Sequence, residues 1–155
     1  MTERFTGHLA VAGFIEKDGK LLVIRERVPH DDPNASIVIN QPSGHVEDAE
    51  TFSEAVVREA MEESGYHIRP VGLVGVYQTL KENRTYILIS FRCELTDPKQ
   101  YPIEAPEVVE TLWLTEEEVM ARVDEHRSET TTLRFKDFFA GKNLPLDTIT
   151  LTDRR

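Results

Sequence analysis

A chain of 155 residues, 39% hydrophobic and 30% charged, has the length and apolar content for one domain with a sizeable core. Its 28 Asp and Glu against 18 Lys and Arg leave a formal net charge of -10, which argues against a nucleic-acid or anionic-membrane surface. A cation is then the natural partner for any cluster of carboxylates. The longest apolar run, Leu9 to Ile15, falls far short of the roughly 20 residues of a membrane span, and the lone cysteine, Cys93, lies in a strand-like apolar run. A soluble, cytoplasmic protein with Cys93 in its core is the expectation.

In chain order, "HLAVAGFI" and "KLLVIR" alternate with a strand period and flank "EKDG", whose Asp18-Gly19 pair signals a tight hairpin. Residues 28–36, rich in Pro, Asp, Asn and Ser, read as a loop leading to a short strand at "IVIN". Thr51 and Glu54 form a capping-box pattern and Gly65 stands at a helix stop, so a helix of about four turns is predicted between them. "VGLVGVYQT" and "RTYILISFRCEL" read as a second hairpin around "LKEN", and "VETLWL" as a later strand. Thr115 with Glu118 opens a helix near 116–125; Leu133, Phe135, Phe138 and Phe139 before Gly141 mark another. Strands and helices in this order predict an α/β fold, a mixed sheet with helices packed against it.

On the helix after Thr51, Val56, Val57, Ala60 and Met61 form an apolar stripe, while Glu59, Glu62 and Glu63 share another arc. Like charges on adjacent turns destabilise an isolated helix by a few tenths of a kcal/mol per pair. Arg58 is placed to pair with Glu54 or to reach Glu50 and brace the segment. Charge pattern alone is usually just that of a solvated helix face.

The frame around these residues is more specific. Gly44, five residues, Glu50, seven residues, Arg58-Glu59, two residues, Glu62-Glu63, one residue and Gly65 resemble the Nudix box of the Nudix hydrolase superfamily, here residues 44–66 of a single domain spanning 1–155. Ser43 stands where many members have a second glycine, and Ala49 where glycine often precedes the glutamate. The flanks "DGKLLVIRER", "QPSGHVE" and "PEVVETLWLTEEEV" resemble Nudix flanks as well. "NQPSGHVE" and "EDAE" are similar to the NudJ-type subgroup, which releases phosphate from nucleoside di- and triphosphates and hydrolyses a thiamine pyrimidine diphosphate.

The resemblance implies an α/β/α sandwich and a metal-dependent hydrolase that cleaves a diphosphate linkage by water attack at phosphorus. A non-catalytic sensor of a nucleotide-like ligand is the alternative the same fold allows. By resemblance Glu59, Glu62 and Glu63 hold Mg²⁺ or Mn²⁺, with a main-chain carbonyl at Ser43 or Gly44, and oxygen donors suit such hard cations. Glu62, or a loop glutamate outside the box, Glu107 before Glu104, serves as general base, with Arg58 supporting the site. Arg25, Gln41, Gly44 and Tyr77 are the substrate-side candidates. Lys81 and Arg84 lie near the second hairpin. His45 is set aside as a ligand, and His8, His30, His67 and His126 carry no motif. Trp113 and the late phenylalanines read as core. The expected partner is a small phosphorylated molecule, with the protein a monomer or homodimer.

Overall fold

In the computed structural model, which describes residues 4–155, the chain begins with the predicted hairpin; residues 1–3, part of the N-terminal stretch, lie outside the described residues. Strands β1 (His8–Lys17) and β2 (Lys20–Val28) turn at Asp18 and Gly19, whose φ angles of 52° and 75° are those a tight Asp-Gly turn requires. Strands β3 (Ser36–Asn40) and β4 (Ser43–His45) follow, then helix α1 (Phe52–Ser64). The long hairpin β5 (Ile68–Lys81) and β6 (Arg84–Leu95) leads through a loop to β7 (Val108–Leu114), α2 (Glu116–Met120), α3 (Glu129–Phe139) and β8 (Leu144–Pro145).

The strand order is β3-β2-β1-β6-β5-β8, with β4 also on β1 and β7 also on β2. The β1–β6 pair is parallel and the other pairs antiparallel, so the sheet is mixed, as expected. Side-chain alternation splits the core between its two faces. Val11, Ile15, Leu22, Leu73 and Cys93 pack with Ala55, Val56 and Ala60 of α1. Phe14, Leu21, Val23 and Val74 pack with Val119 of α2 and with Phe135 and Phe138 of α3. Helices therefore cover both faces, and the Val11–Ile15 segment reads as unbroken apolar sequence because neither face meets water. Each fully buried side chain of this kind contributes about 1.5–3 kcal/mol. Among the described residues no helix is long and apolar enough to cross a membrane.

Several elements differ from the sequence expectation for local reasons. The helix expected over 116–125 stops at Met120 and gives way to a 3₁₀ turn at Val123–Glu125. The Val119 carbonyl, which would continue the helix, accepts from Arg122 N–H and meets the buried His126 ring at 3.0 Å. Strand β5 starts at Ile68, because Pro70 and Gly72 sit at a bulge that spares the sheet a missing donor. The second hairpin turns on Glu82 and Asn83 alone, with Glu82 at φ 43°. Leu133 is exposed rather than part of the apolar face of α3. On α1 the buried face is Ala55, Val56, Ala60 and Ser64 and includes Glu63, so the carboxylate arc overlaps the buried face instead of standing apart from it.

Candidate active site

The loop before α1 and the helix itself are tied together by one guanidinium. Arg58 Nε and Nη2 reach the two oxygens of Glu50 at 2.7 and 3.0 Å, and Nη2 also donates to the His45 carbonyl at 3.0 Å. Its Nη1 reaches Glu59 at 2.8 Å and Glu62 at 3.3 Å. The expected local pair with Glu54 is not made; Glu54 pairs with Arg155 instead. Planar, forked donors suit this arrangement, in which one side chain serves several carboxylates. The Arg58 hydrogen bond holds Glu50 below the usual carboxylate range, and Glu50 with Glu59 raises Arg58. Ala49 enters this turn at φ 60°, the left-handed conformation that favours glycine, which gives a physical reason for glycine at that position in related boxes.

Burial governs the other two acids. It pushes Glu59 up, against the opposing effect of Arg58. Glu63, only 4% exposed, is raised well above the ordinary range by burial, and the nearby charges of Glu26, Glu59 and Glu107 add to the effect. One protein donor opposes this: Ser43 N–H, at 2.7 Å from Glu63 Oε1. Ser43 needs no left-handed backbone, so a side chain is tolerated there. Gly44 is different, since a Cβ on it would lie 2.2 Å from the Glu59 carboxyl carbon. Glycine lets the β4 backbone close onto that carboxylate.

The β4–β1 register is marked by Gly13 N–H to Pro42 O and Val46 N–H to Leu9 O. In such an antiparallel ladder bonded and non-bonded pairs alternate, so the main-chain groups of Ser43 and His45 turn away from β1 while those of Gly44 turn toward it. The contacts from Ser43 N–H to Glu63 and from Arg58 to His45 O fit this alternation. Ser43 thus presents the carbonyl that faces α1.

Glu26 was not anticipated. It continues the inward alternation of Leu22 and Ile24 at the end of β2, yet it is a carboxylate only 1% exposed. Arg127 Nη1 reaches it at 2.6 Å, Asn40 Nδ2 at 3.4 Å and His30 Nε2 at 3.6 Å. The other His30 nitrogen lies 3.8 Å from Glu107, so the loop after β2 joins Glu26 to the loop before β7. Glu107 is close enough to add its charge to the burial that raises Glu63, whereas the Glu104 side chain is exposed and its N–H binds the Glu62 carbonyl. The signal in the sequence was a charged residue at the next inward position of a strand. Among the described residues no three acids or imidazoles already converge as a metal-ligand set, since Glu59 and Glu62 are turned onto Arg58.

In front of β4, on the face of the sheet that carries α3, lies a cleft of about 340 Å³. Ser43, Gly44 and His45 form one wall, Tyr77, Thr79 and Tyr86 lie on the strands, and Ser128, Thr130 and Arg134 close the side toward α3. Lys81, Arg127 and Arg134 make this lining basic within an acidic protein. Tyr77 belongs to the cleft and donates to Asp137 at 2.7 Å, which together with burial raises its phenol. Arg25 and Gln41 are placed differently. Arg25 pairs with Glu110 across the β2–β7 ladder at 2.9 Å. Gln41 is fully buried, with neither side-chain polar atom hydrogen-bonded among the described residues. Neither lines the cleft.

Comparison with known proteins identifies the family. The family model described as NUDIX domain matches residues 6–135. The chain is 28% identical over 151 residues to Phosphatase NudJ of Escherichia coli strain K12, covering 94% of this chain and 92% of that protein. A solved NUDIX hydrolase from Nitrosomonas europaea superposes with a TM-score of 0.83 at 29% identity, over 97% of this chain and 100% of that one. A UDP-X diphosphatase structure, at 16% identity, shares the fold with a TM-score of 0.69, over 93% of this chain and 68% of that one. The box, the mixed sheet between helices and these matches together place the chain in the Nudix family, as a Nudix hydrolase acting on small phosphorylated substrates.

Proposed function

We propose that this chain is a divalent-cation-dependent hydrolase of nucleoside di- and triphosphates or a related small organic diphosphate, a thiamine pyrimidine diphosphate included, with water attacking phosphorus and inorganic phosphate among the products. One observation carries the reading: carboxylates of α1, β2 and the loop before β7 gather behind β4 while a basic cleft opens in front of it. Metal and phosphate can meet at that boundary.

Glu59, Glu62 and Glu63, with the Ser43 carbonyl, would hold Mg²⁺ or Mn²⁺. The donors are the hard oxygens such ions take, and Glu63, buried among other acids with no cation paired to it among the described residues, marks negative charge short of a counter-charge. A bound cation of this kind neutralises phosphate charge and acidifies a water. Arg58 keeps Glu50 and the His45 carbonyl as anchors while Glu59 and Glu62 turn to other partners, so the loop stays in register with the helix. Glu62, the most exposed of the three at 38%, or Glu107 beside His30, accepts the proton of the attacking water. Cleft cations orient the substrate's phosphates, and Tyr77 and Tyr86 offer ring faces to its organic group.

A phosphate-release screen tests this, run over nucleotides, nucleotide sugars, dinucleoside polyphosphates and thiamine precursors, with reactions in ¹⁸O water to locate the phosphorus attacked. Phosphate released from several simple nucleotides is expected. Strict use of ADP-ribose or dinucleoside polyphosphates, with none released from simple nucleotides, would overturn the substrate class.

A further inference from the structure

Arg134 stands on the buried stripe of α3 with Thr131, Phe135 and Phe138, and is only 5% exposed. Such a position normally holds an apolar side chain or an arginine paired with an acid. Here no acid meets it among the described residues. Nη2 alone makes contacts, 3.4 Å to Asn40 Oδ1 and 3.2 Å to Thr131 Oγ1, and Nε is buried without an acceptor. Its neighbour in charge is another cation, Arg127, and both line the cleft. Burial and Arg127 lower Arg134 to about 10, which leaves it charged at neutral pH. Arg127 is already held by Glu26, whereas Arg134, desolvated and underused as a donor, has an anion as its missing partner.

Asn40 also fixes where that anion lies. It accepts from Arg134 and donates to Ser43 Oγ at 3.2 Å, and Ser43 N–H in turn holds Glu63. We propose that Arg134, with Arg127 beside it, forms an anion subsite that takes a phosphate oxygen of the substrate, one Asn40–Ser43 relay from the helix carboxylates. This deepens the hydrolase reading and rests on it. The forked guanidinium binds phosphate in two-pronged fashion, a geometry lysine lacks.

Titration calorimetry with inorganic pyrophosphate in EDTA-containing buffer isolates the subsite from the metal site. The parent is expected to bind, Arg134→Gln to bind about tenfold to a hundredfold more weakly, and Arg134→Lys to fall between them. Glu63→Gln should bind pyrophosphate at least as well as the parent while losing Mg²⁺-dependent hydrolysis. In steady state, Arg134→Lys should raise KM for a nucleoside diphosphate by a larger factor than it lowers kcat. Parent-like affinity in folded Arg134→Gln overturns the proposal. If that variant does not fold, equal affinity of Arg134→Lys and the parent overturns it. A parent that hydrolyses diphosphates but does not bind pyrophosphate removes the subsite and leaves the hydrolase reading. Pyrophosphate binding without hydrolysis of any diphosphate does the reverse.

Discussion

Replacing Glu63 by Gln should make the metal-free protein more stable. The carboxylate is 4% exposed, has Glu26, Glu59 and Glu107 as like-charged neighbours, and takes one protein donor, Ser43 N–H. The Gln amide oxygen can keep that bond, and its NH₂ group faces acids instead of opposing them. Removing an uncompensated buried charge in this way should gain about 1–2 kcal/mol at neutral pH, or about 3–8 °C in Tm for a domain of this size. The sign with pH follows from linkage. Glu63 is raised in the folded protein, so the parent loses stability as pH climbs from the ordinary value of 4.5 through the folded one. The advantage of Glu63→Gln should therefore be present at neutral pH and vanish by about pH 4.5. Chemical denaturation of both proteins in EDTA at a series of pH values measures it, and added Mg²⁺ should stabilise the parent but not the variant. A variant less stable than the parent at neutral pH, or a difference independent of pH, would refute the reasoning.

Other expectations use simpler readouts. Gly44→Val places a Cβ 2.2 Å from the Glu59 carboxyl carbon, the mobile end of a side chain, so turnover should fall more than about tenfold while Tm drops only a few degrees. A collapse of stability, with full activity in the remaining folded fraction, would assign the glycine to folding alone. Arg58→Met strands Glu50 and releases the His45 carbonyl; urea denaturation should show a loss of about 2–3 kcal/mol. Ala49→Gly relieves a φ of 60° and should raise Tm by about 2–4 °C with activity kept, and a lower Tm would show the turn unstrained.

The candidate site was legible where function is written into local spacing. Gly44, Glu50, Arg58, Glu59, Glu62 and Glu63 lie within one loop and helix, so their spacing can be matched directly to the Nudix box it resembles, which capping and periodicity alone would not single out. Glu26, His30, Arg127 and Arg134 were hidden because their meeting depends on tertiary pairing, with Glu26 and Arg127 101 positions apart and Asn40 and Arg134 94 apart. Even so, two of them left a trace. Glu26 interrupts the inward apolar alternation of β2, and Arg134 interrupts the apolar stripe of α3. A charged residue on a buried face deserves as much notice as a cluster on an exposed one. The arc of α1 was misjudged in part for a related reason: of the stripe Val56, Val57, Ala60 and Met61, Val56 and Ala60 are buried but Val57 and Met61 only half so, whereas Ser43 N–H allows Glu63 to be buried with its hydrogen bond made.

Three of the chain's 18 Lys and Arg line the cleft, and their placement also governs how substrate arrives. A polyphosphate approaching a body of net charge -10 meets a repulsive far field and finds attraction only within the last few ångströms, where Lys81, Arg127 and Arg134 dominate. Salt at about 0.1 M shortens the reach of the far field to about 10 Å but acts less on charges that are already desolvated. Encounter should thus speed up as ionic strength rises from very low values, the reverse of a steered enzyme, so that the acidic exterior works as a filter favouring phosphates that arrive already neutralised by a counter-ion.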